Sequence, residues 1–88
     1  MSIIDARVCF VPVDEDEADE IEACLRSLVD KRIEVRTPTR FAIFPLLRQY
    51  SVTKEEVSIT FSLEAMELLG NAADERALLA AARQIALH

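Results

Sequence analysis

The sequence is poor in the residues that most often perform catalysis or interrupt a fold. It has one glycine, three prolines, no tryptophan and a single histidine, His88, at the end of the chain. So little glycine and proline excludes a collagen-like chain or a flexible linker. General acid–base catalysis most often uses histidine, and no internal histidine could activate the thiol of Cys9 or Cys24. We therefore expect a protein that is not an enzyme and has no catalytic residues.

Cysteines and long apolar runs are also scarce. The two cysteines lie fifteen residues apart in apolar patterns, which predicts small core residues rather than a disulfide or a metal pair. We expect no metal and no other cofactor. No apolar run approaches the ~18 residues that a membrane span needs. These features predict a soluble protein of the reducing cytoplasm, with no membrane partner.

The residues that are abundant indicate one compact domain. Of 88 residues, 51% are hydrophobic and 30% are charged. That apolar content is too high for a disordered acidic tail, and the length leaves no room for a second core, so residues 1–88 are expected to form a single domain. Sixteen acidic and ten basic side chains give a net charge of -6, which disfavours sequence-independent binding to nucleic acid or anionic lipid.

Hydrophobic periodicity predicts four strands and a first helix. A strand over residues 7–13 has apolar residues on both faces, and an amphipathic helix follows it, capped by Asp14 or Asp16. A short half-buried strand covers residues 32–36. The run FAIFPLLRQY is predicted to be an edge strand bent at Pro45, since proline would disrupt a helix interior, and it forms a hairpin with VSITFS.

Two further helices complete the predicted fold. Ser62 is expected to cap the helix LEAMELL, which would end at Gly70 in a left-handed C-terminal cap. Asn71 would then cap a helix from Ala72 to about Leu87. The order β-α-β-β-β-α-α predicts an α+β fold with a small, largely antiparallel sheet and helices packed on one face. A winged-helix-like variant is compatible with this order.

Charge is segregated along the chain. Seven carboxylates lie within residues 14–22, where they suit the positive end of a helix dipole and form either a solvated face or a docking surface for a partner. The last helix carries an apolar stripe of small residues that could bury against a second copy. The predicted partner-binding residues on these two helices are Asp16, Asp19, Glu20, Leu78, Leu79, Ala82 and Ile85.

The middle of the chain is basic. Between Arg26 and Arg48 there are six basic residues and only two acidic ones. This excess either pairs with the chain's own carboxylates or forms a local surface that contacts phosphate groups. For the second case the predicted nucleic-acid-binding residues are Arg32, Arg36, Arg40 and Arg48.

Two segments of the chain carry a family resemblance. LRSLVDKRIEV would form a helix that ends in a basic turn and a strand, and FPLLRQYSVTKEEVSITFSLEAMELL would form an apolar hairpin and a leucine-rich helix. This order resembles the winged-helix region of plasmid replication initiator (Rep) proteins. The matching residues are Leu25, Leu28, Lys31, Arg32, Ile33, Val35, Phe44, Pro45, Leu46, Leu47, Tyr50, Val57, Ile59, Phe61, Ser62, Glu64 and Leu69.

Rep proteins are longer, are usually basic and carry a second winged-helix domain that reads DNA repeats. For this shorter, acidic chain the resemblance implies the dimerising or regulatory half of such a protein.

Taken together, the sequence predicts a non-enzymatic interaction or regulatory module that binds a protein partner and forms a homodimer. The alternative is a winged-helix-like element that binds nucleic acid.

Overall fold

The computed structural model describes residues 5–87, with side chains from Arg7 onward; His88 lies outside this range. The elements are β1 (Asp5–Phe10), α1 (Glu15–Leu28), β2 (Arg32–Thr37), β3 (Arg40–Pro45), β4 (Leu47–Val52), β5 (Val57–Ser62), α2 (Leu63–Leu69) and α3 (Glu75–Leu87). The predicted α+β class and the order of strands and helices are confirmed. The strand expected over residues 41–50 is divided into β3 and β4.

The strands form two antiparallel sheets. One has the order β1-β5-β4, and the other is the β2–β3 hairpin. The division occurs at Leu46, whose N–H donates to the Lys31 carbonyl while its own carbonyl accepts from the Ser62 N–H. The chain therefore changes partner from β2 to β5 directly after Pro45. Pro45 pairs with Arg32 at a position whose N–H would point away from β2, so the strand accepts a proline there. The predicted hairpin between FAIFPLLRQY and VSITFS is formed by β4 and β5.

The core lies between the three-stranded sheet and the helices. Strand β5 is central, and its alternating residues Val57, Ile59 and Phe61 are fully buried. Leu25 and Leu28 of α1 and Leu69 of α2 belong to the same buried cluster. The period-2 alternation of β5 is thus explained by helices that cover one face of the sheet.

Strand β1 is covered on one face only. Val8 is buried, but Arg7 and Cys9 are exposed, and the Arg7 Nε donates to Ser58 Oγ on the outer face at 2.8 Å. The prediction that both faces are covered, with Cys9 in the core, is therefore wrong. The reason is that the helices leave the second face of this sheet open. Cys24 is half-buried, and both thiols are free.

Side chains cap the three helices, though one cap differs from the prediction. Asp14 caps α1 by accepting from the Glu17 N–H at 2.8 Å, and buried Ser62 caps α2 by accepting from the Ala65 N–H at 3.1 Å. The cap of α3 is Asp74, which accepts from the Ala77 N–H at 2.8 Å. The predicted cap, Asn71, is wrong because the Ala72 N–H bonds the Leu69 carbonyl, which prolongs the turn after α2.

The turn after α2 has right-handed backbone geometry. Gly70 has φ -57°, so the predicted left-handed cap is wrong. None of the described helices is long and apolar enough to cross a membrane.

Candidate interaction surface

The β2–β3 hairpin, residues 32–45, projects from the body of the protein and is called the arm here. Within the described chain, no other element makes extended contact with it. The radius of gyration is 13.4 Å, against about 12 Å for a compact chain of this length, and the longest dimension is 46 Å. Ile33, which is 5% exposed, anchors the base of the arm in the core. The arm is therefore an extension whose distal half lies in solvent.

Strand register divides the arm into two faces. The pairs Ile33–Phe44 and Val35–Ala42 form the inner face, which is buried or half-buried. The pairs Arg32–Pro45, Glu34–Ile43 and Arg36–Phe41 form the outer face. On that face Phe41 is 55% exposed and Ile43 is 53% exposed. Two large apolar side chains, each more than half exposed, thus lie side by side on the outer face of β3.

Arginine side chains stack on one aromatic ring of each face of the arm, Phe41 on the outer face and Phe44 on the inner face. The Arg36 guanidinium lies 4.8 Å from the centre of the Phe41 ring, and its Nε is 3.5 Å from Glu34 Oε2. Arg40, beside the turn, lies 5.6 Å from the centre of the Phe44 ring. Stacking of this kind holds a guanidinium over a ring while its edge stays free to donate hydrogen bonds. The arm therefore combines apolar surface with positive charge.

Two of the four arginines predicted to contact phosphate lie together on the outer face of the arm, Arg32 at its base and Arg36 near its tip. Arg40 pairs with Thr37 and lies near the tip on the inner face. Arg48 lies on β4, in the other sheet. The predicted group is thus divided between two sheets.

The outer face continues into an open groove at the base of the arm. This groove has a volume of about 780 Å³, and Ile43, Leu68 and Ile85 provide its apolar lining. Leu68 of α2 is 58% exposed. The apolar surface therefore extends from the arm onto α2 and α3, which makes it larger than the hairpin alone.

A second exposed surface, residues 11–20, joins β1 to the start of α1 and is called the acidic segment here. Val11 is 65% exposed and Val13 is 77% exposed. The exposed carboxylates of Asp16, Asp19 and Glu20 follow them on α1. These are three of the residues that the sequence predicts to bind a partner, and the structure brings them next to exposed apolar side chains.

Arg76 of α3 fixes the acidic segment against the body. Its guanidinium donates to Glu17 Oε2 and to the Val11 carbonyl, and it lies 5.1 Å from the centre of the Phe10 ring. The hydrogen bond from Arg76 and then that from the Val13 N–H lower the pKa of Glu17. The hydrogen bond to Glu17 raises the pKa of Arg76 in turn. These contacts connect β1, α1 and α3.

The lowered pKa of Glu17 predicts a pH-dependent contribution to stability. Because the folded pKa lies below the ordinary value of 4.5, this contribution is present above that value and is lost as the pH falls through the folded pKa. We expect Glu17→Gln to lower the melting temperature at about pH 7, and the difference from the wild type to shrink as the pH falls below the ordinary pKa of 4.5. Thermal unfolding of both proteins across this range checks the prediction. A difference that stays constant with pH would contradict it.

The predicted partner-binding residues of α3 contribute mostly to the chain's own core. Ala82 is fully buried, so it offers no surface to a partner. Leu78, Leu79 and Ile85 are half-buried and pack against the core cluster. A shallow groove of about 450 Å³ between α1 and α3 exposes part of Leu79 beside Cys24. The apolar stripe that suggested an interface therefore mainly holds α3 on the domain.

Sequence reasoning missed the most exposed apolar residues of these surfaces, which are Val11, Val13, Phe41, Ile43 and Leu68. Phe41 and Ile43 alternate with other residues of a strand, and such a pattern predicts a buried face. No neighbouring residue in the sequence shows that this face of the hairpin is left without a covering element.

Among the side chains that the structure describes, no group of His, Cys, Asp and Glu is arranged to hold a metal ion.

No protein-family model, curated protein or solved structure matches this chain. The resemblance to plasmid replication initiators therefore stays a prediction.

Proposed function

We propose that this protein is a non-enzymatic interaction module that binds protein and acts as a homodimer. The observation that carries the proposal is the outer face of the arm, where Phe41 and Ile43 are each more than half exposed and arginines flank them. Contiguous exposed apolar surface with a polar rim is typical of protein interaction sites.

The construction of the arm supports this proposal. A two-stranded hairpin is marginally stable in water by itself, and packing against another surface stabilises it. Here the core covers only the inner face, and mainly at the base. A partner on the outer face would remove Phe41 and Ile43 from water, and oligomerisation is a common way for a domain this small to enlarge its core.

Light scattering coupled to size exclusion tests the homodimer. At about 50 µM, a range in which weak association is populated, we expect a mass near twice that of the 9.9 kDa chain. The mass should fall toward that of the monomer on dilution. If the mass is already that of a single chain at about 50 µM, before dilution, the proposal is contradicted.

A second candidate function is nucleic-acid binding through the arm. The observation that favours it is the position of Arg36 and Arg40 near the tip of a two-stranded ribbon, a shape that fits a DNA groove. The carboxylates of the acidic segment oppose it. If this function is correct, the wild-type protein retards labelled duplex DNA in a gel at low salt, and the double variant Arg36→Ala, Arg40→Ala does not. If the wild-type protein does not retard the duplex, this function is excluded.

A further inference from the structure

We propose that the arm of one copy docks on the acidic segment of a second copy. This inference rests on the proposed homodimer and specifies which two surfaces meet in it. The two surfaces have opposite charge, and each has exposed apolar side chains at its centre.

The arm and the acidic segment carry complementary charges. The outer face of the arm carries Arg32 and Arg36 against the single carboxylate of Glu34, and Arg40 adds a third positive charge near the tip, on the inner face. The acidic segment lies in a stretch from residue 8 to residue 25 that has no basic residue. Opposed potentials of this kind favour encounter and fix the register of an interface. A second copy therefore offers each surface the charge that it lacks.

Both surfaces also expose large apolar side chains. On the arm, Phe41 and Ile43 lie on the same face as Arg32 and Arg36. On the acidic segment, Val11 and Val13 come just before the carboxylates in the chain. All four side chains are more than half exposed. Contact between the two surfaces would bury these four residues at the centre and leave the charges at the rim, which is the usual arrangement of a protein interface.

The charges of the two surfaces do not neutralise each other within one chain. In the described part of the protein, the ion pair of Arg36 is to Glu34 on the arm itself, and Glu17 pairs with Arg76 of α3. No described ion pair joins the arm to Asp16, Asp19 or Glu20. Both surfaces thus stay open to a second copy.

A two-fold axis would produce this contact twice in each dimer. The arm of each copy would then lie on the acidic segment of the other, so that two equivalent contacts close the assembly. An arm that projects from the body is suited to reach a neighbouring molecule. We therefore expect a closed dimer whose association weakens as salt screens the charges.

Reciprocal charge reversal provides the test. In the arm variant, Arg32 and Arg36 are replaced by Glu, and in the segment variant, Asp16 and Asp19 are replaced by Lys. All four positions are exposed. Each variant alone places like charges opposite each other, so we expect its self-association to weaken at least about tenfold. When the two variants are mixed, every contact again joins opposite charges, and we expect dimers to return in sedimentation velocity.

A control variant separates local pairing from net charge. Lys54→Glu with Arg7→Glu changes two exposed residues outside both surfaces and has the same net charge as the arm variant. We expect it to associate as the wild type does. If the control dissociates to the same extent as the arm variant, or if mixing restores no dimer, the inference is wrong. If the wild type dimerises and both reversal variants dimerise equally well, the inference is wrong and the proposed homodimer stands.

A monomeric wild type would overturn the homodimer and this inference together. Circular dichroism reports whether each variant folds. For any variant that does not, the neutral replacements Arg36→Gln and Asp16→Asn keep the test decisive. Each should weaken association and reduce its dependence on salt, and association unchanged by both would overturn the inference.

Discussion

Replacing Phe61 by alanine is expected to remove a large fraction of the protein's free energy of unfolding. Phe61 is fully buried on the central strand β5, where it faces Ala6 of β1 and Leu47 of β4 in the register. Truncating a buried phenylalanine costs about 3–5 kcal/mol. A domain of this size has a total stability of roughly 4–13 kcal/mol. The substitution therefore removes a large fraction of that stability.

Phe41→Ala is the matched control, because it deletes the same atoms from a side chain that is 55% exposed. It should cost no more than about 1 kcal/mol, since it mainly loses the stacking of Arg36. Chemical denaturation followed by circular dichroism measures both. If the two variants lost similar free energies of unfolding, the distinction between the core and the arm would be wrong.

The combined substitution Phe41→Thr and Ile43→Thr is expected to weaken self-association by about 10- to 100-fold. Burial of a large apolar side chain contributes about 1.5–3 kcal/mol, and about half of each side chain is already removed from water in the monomer. The two residues together therefore supply roughly 1.5–3 kcal/mol to the interface, and about 1.4 kcal/mol corresponds to a tenfold change. Threonine retains a β-branched side chain that suits the strand.

Leu63→Gln is the control for this experiment. Leu63 is 42% exposed at the start of α2, outside the arm and the acidic segment, so its replacement should leave the dissociation constant unchanged. Sedimentation velocity over a dilution series gives the three dissociation constants. Equal constants for the arm variant and the wild type would show that the outer face of the arm is not in the interface.

Much of the fold is predictable because its signals are local. The alternation of Val57, Ile59 and Phe61 predicts β5, and the caps Asp14 and Ser62 precede their helices in the sequence. Pro45 excludes a helix over FAIFPLLRQY and so predicts extended backbone there. Each of these features depends on the side chain and the backbone within a few residues, so the sequence alone is sufficient.

The remaining features depend on tertiary contacts. Cys9 has the pattern of a core residue, yet it is exposed because no helix covers the outer face of β1. Asn71 and Asp74 are both good caps, and the Ala72–Leu69 hydrogen bond decides between them. The exposure of Phe41 follows from the change of partner at Leu46, which leaves β2 and β3 as a separate hairpin. No local pattern encodes that separation.

The central claim is that the arm and the acidic segment are contact surfaces for a second copy. The most direct test is a series of ¹H–¹⁵N correlation spectra of the wild-type protein at low salt, recorded from about 20 to about 500 µM, across the range of weak association. We predict concentration-dependent shifts or broadening at amides of residues 11–20 and 32–45, with residues 53–56 in the β4–β5 turn unchanged. Spectra that stay constant, or that change only outside those two segments, would contradict the claim.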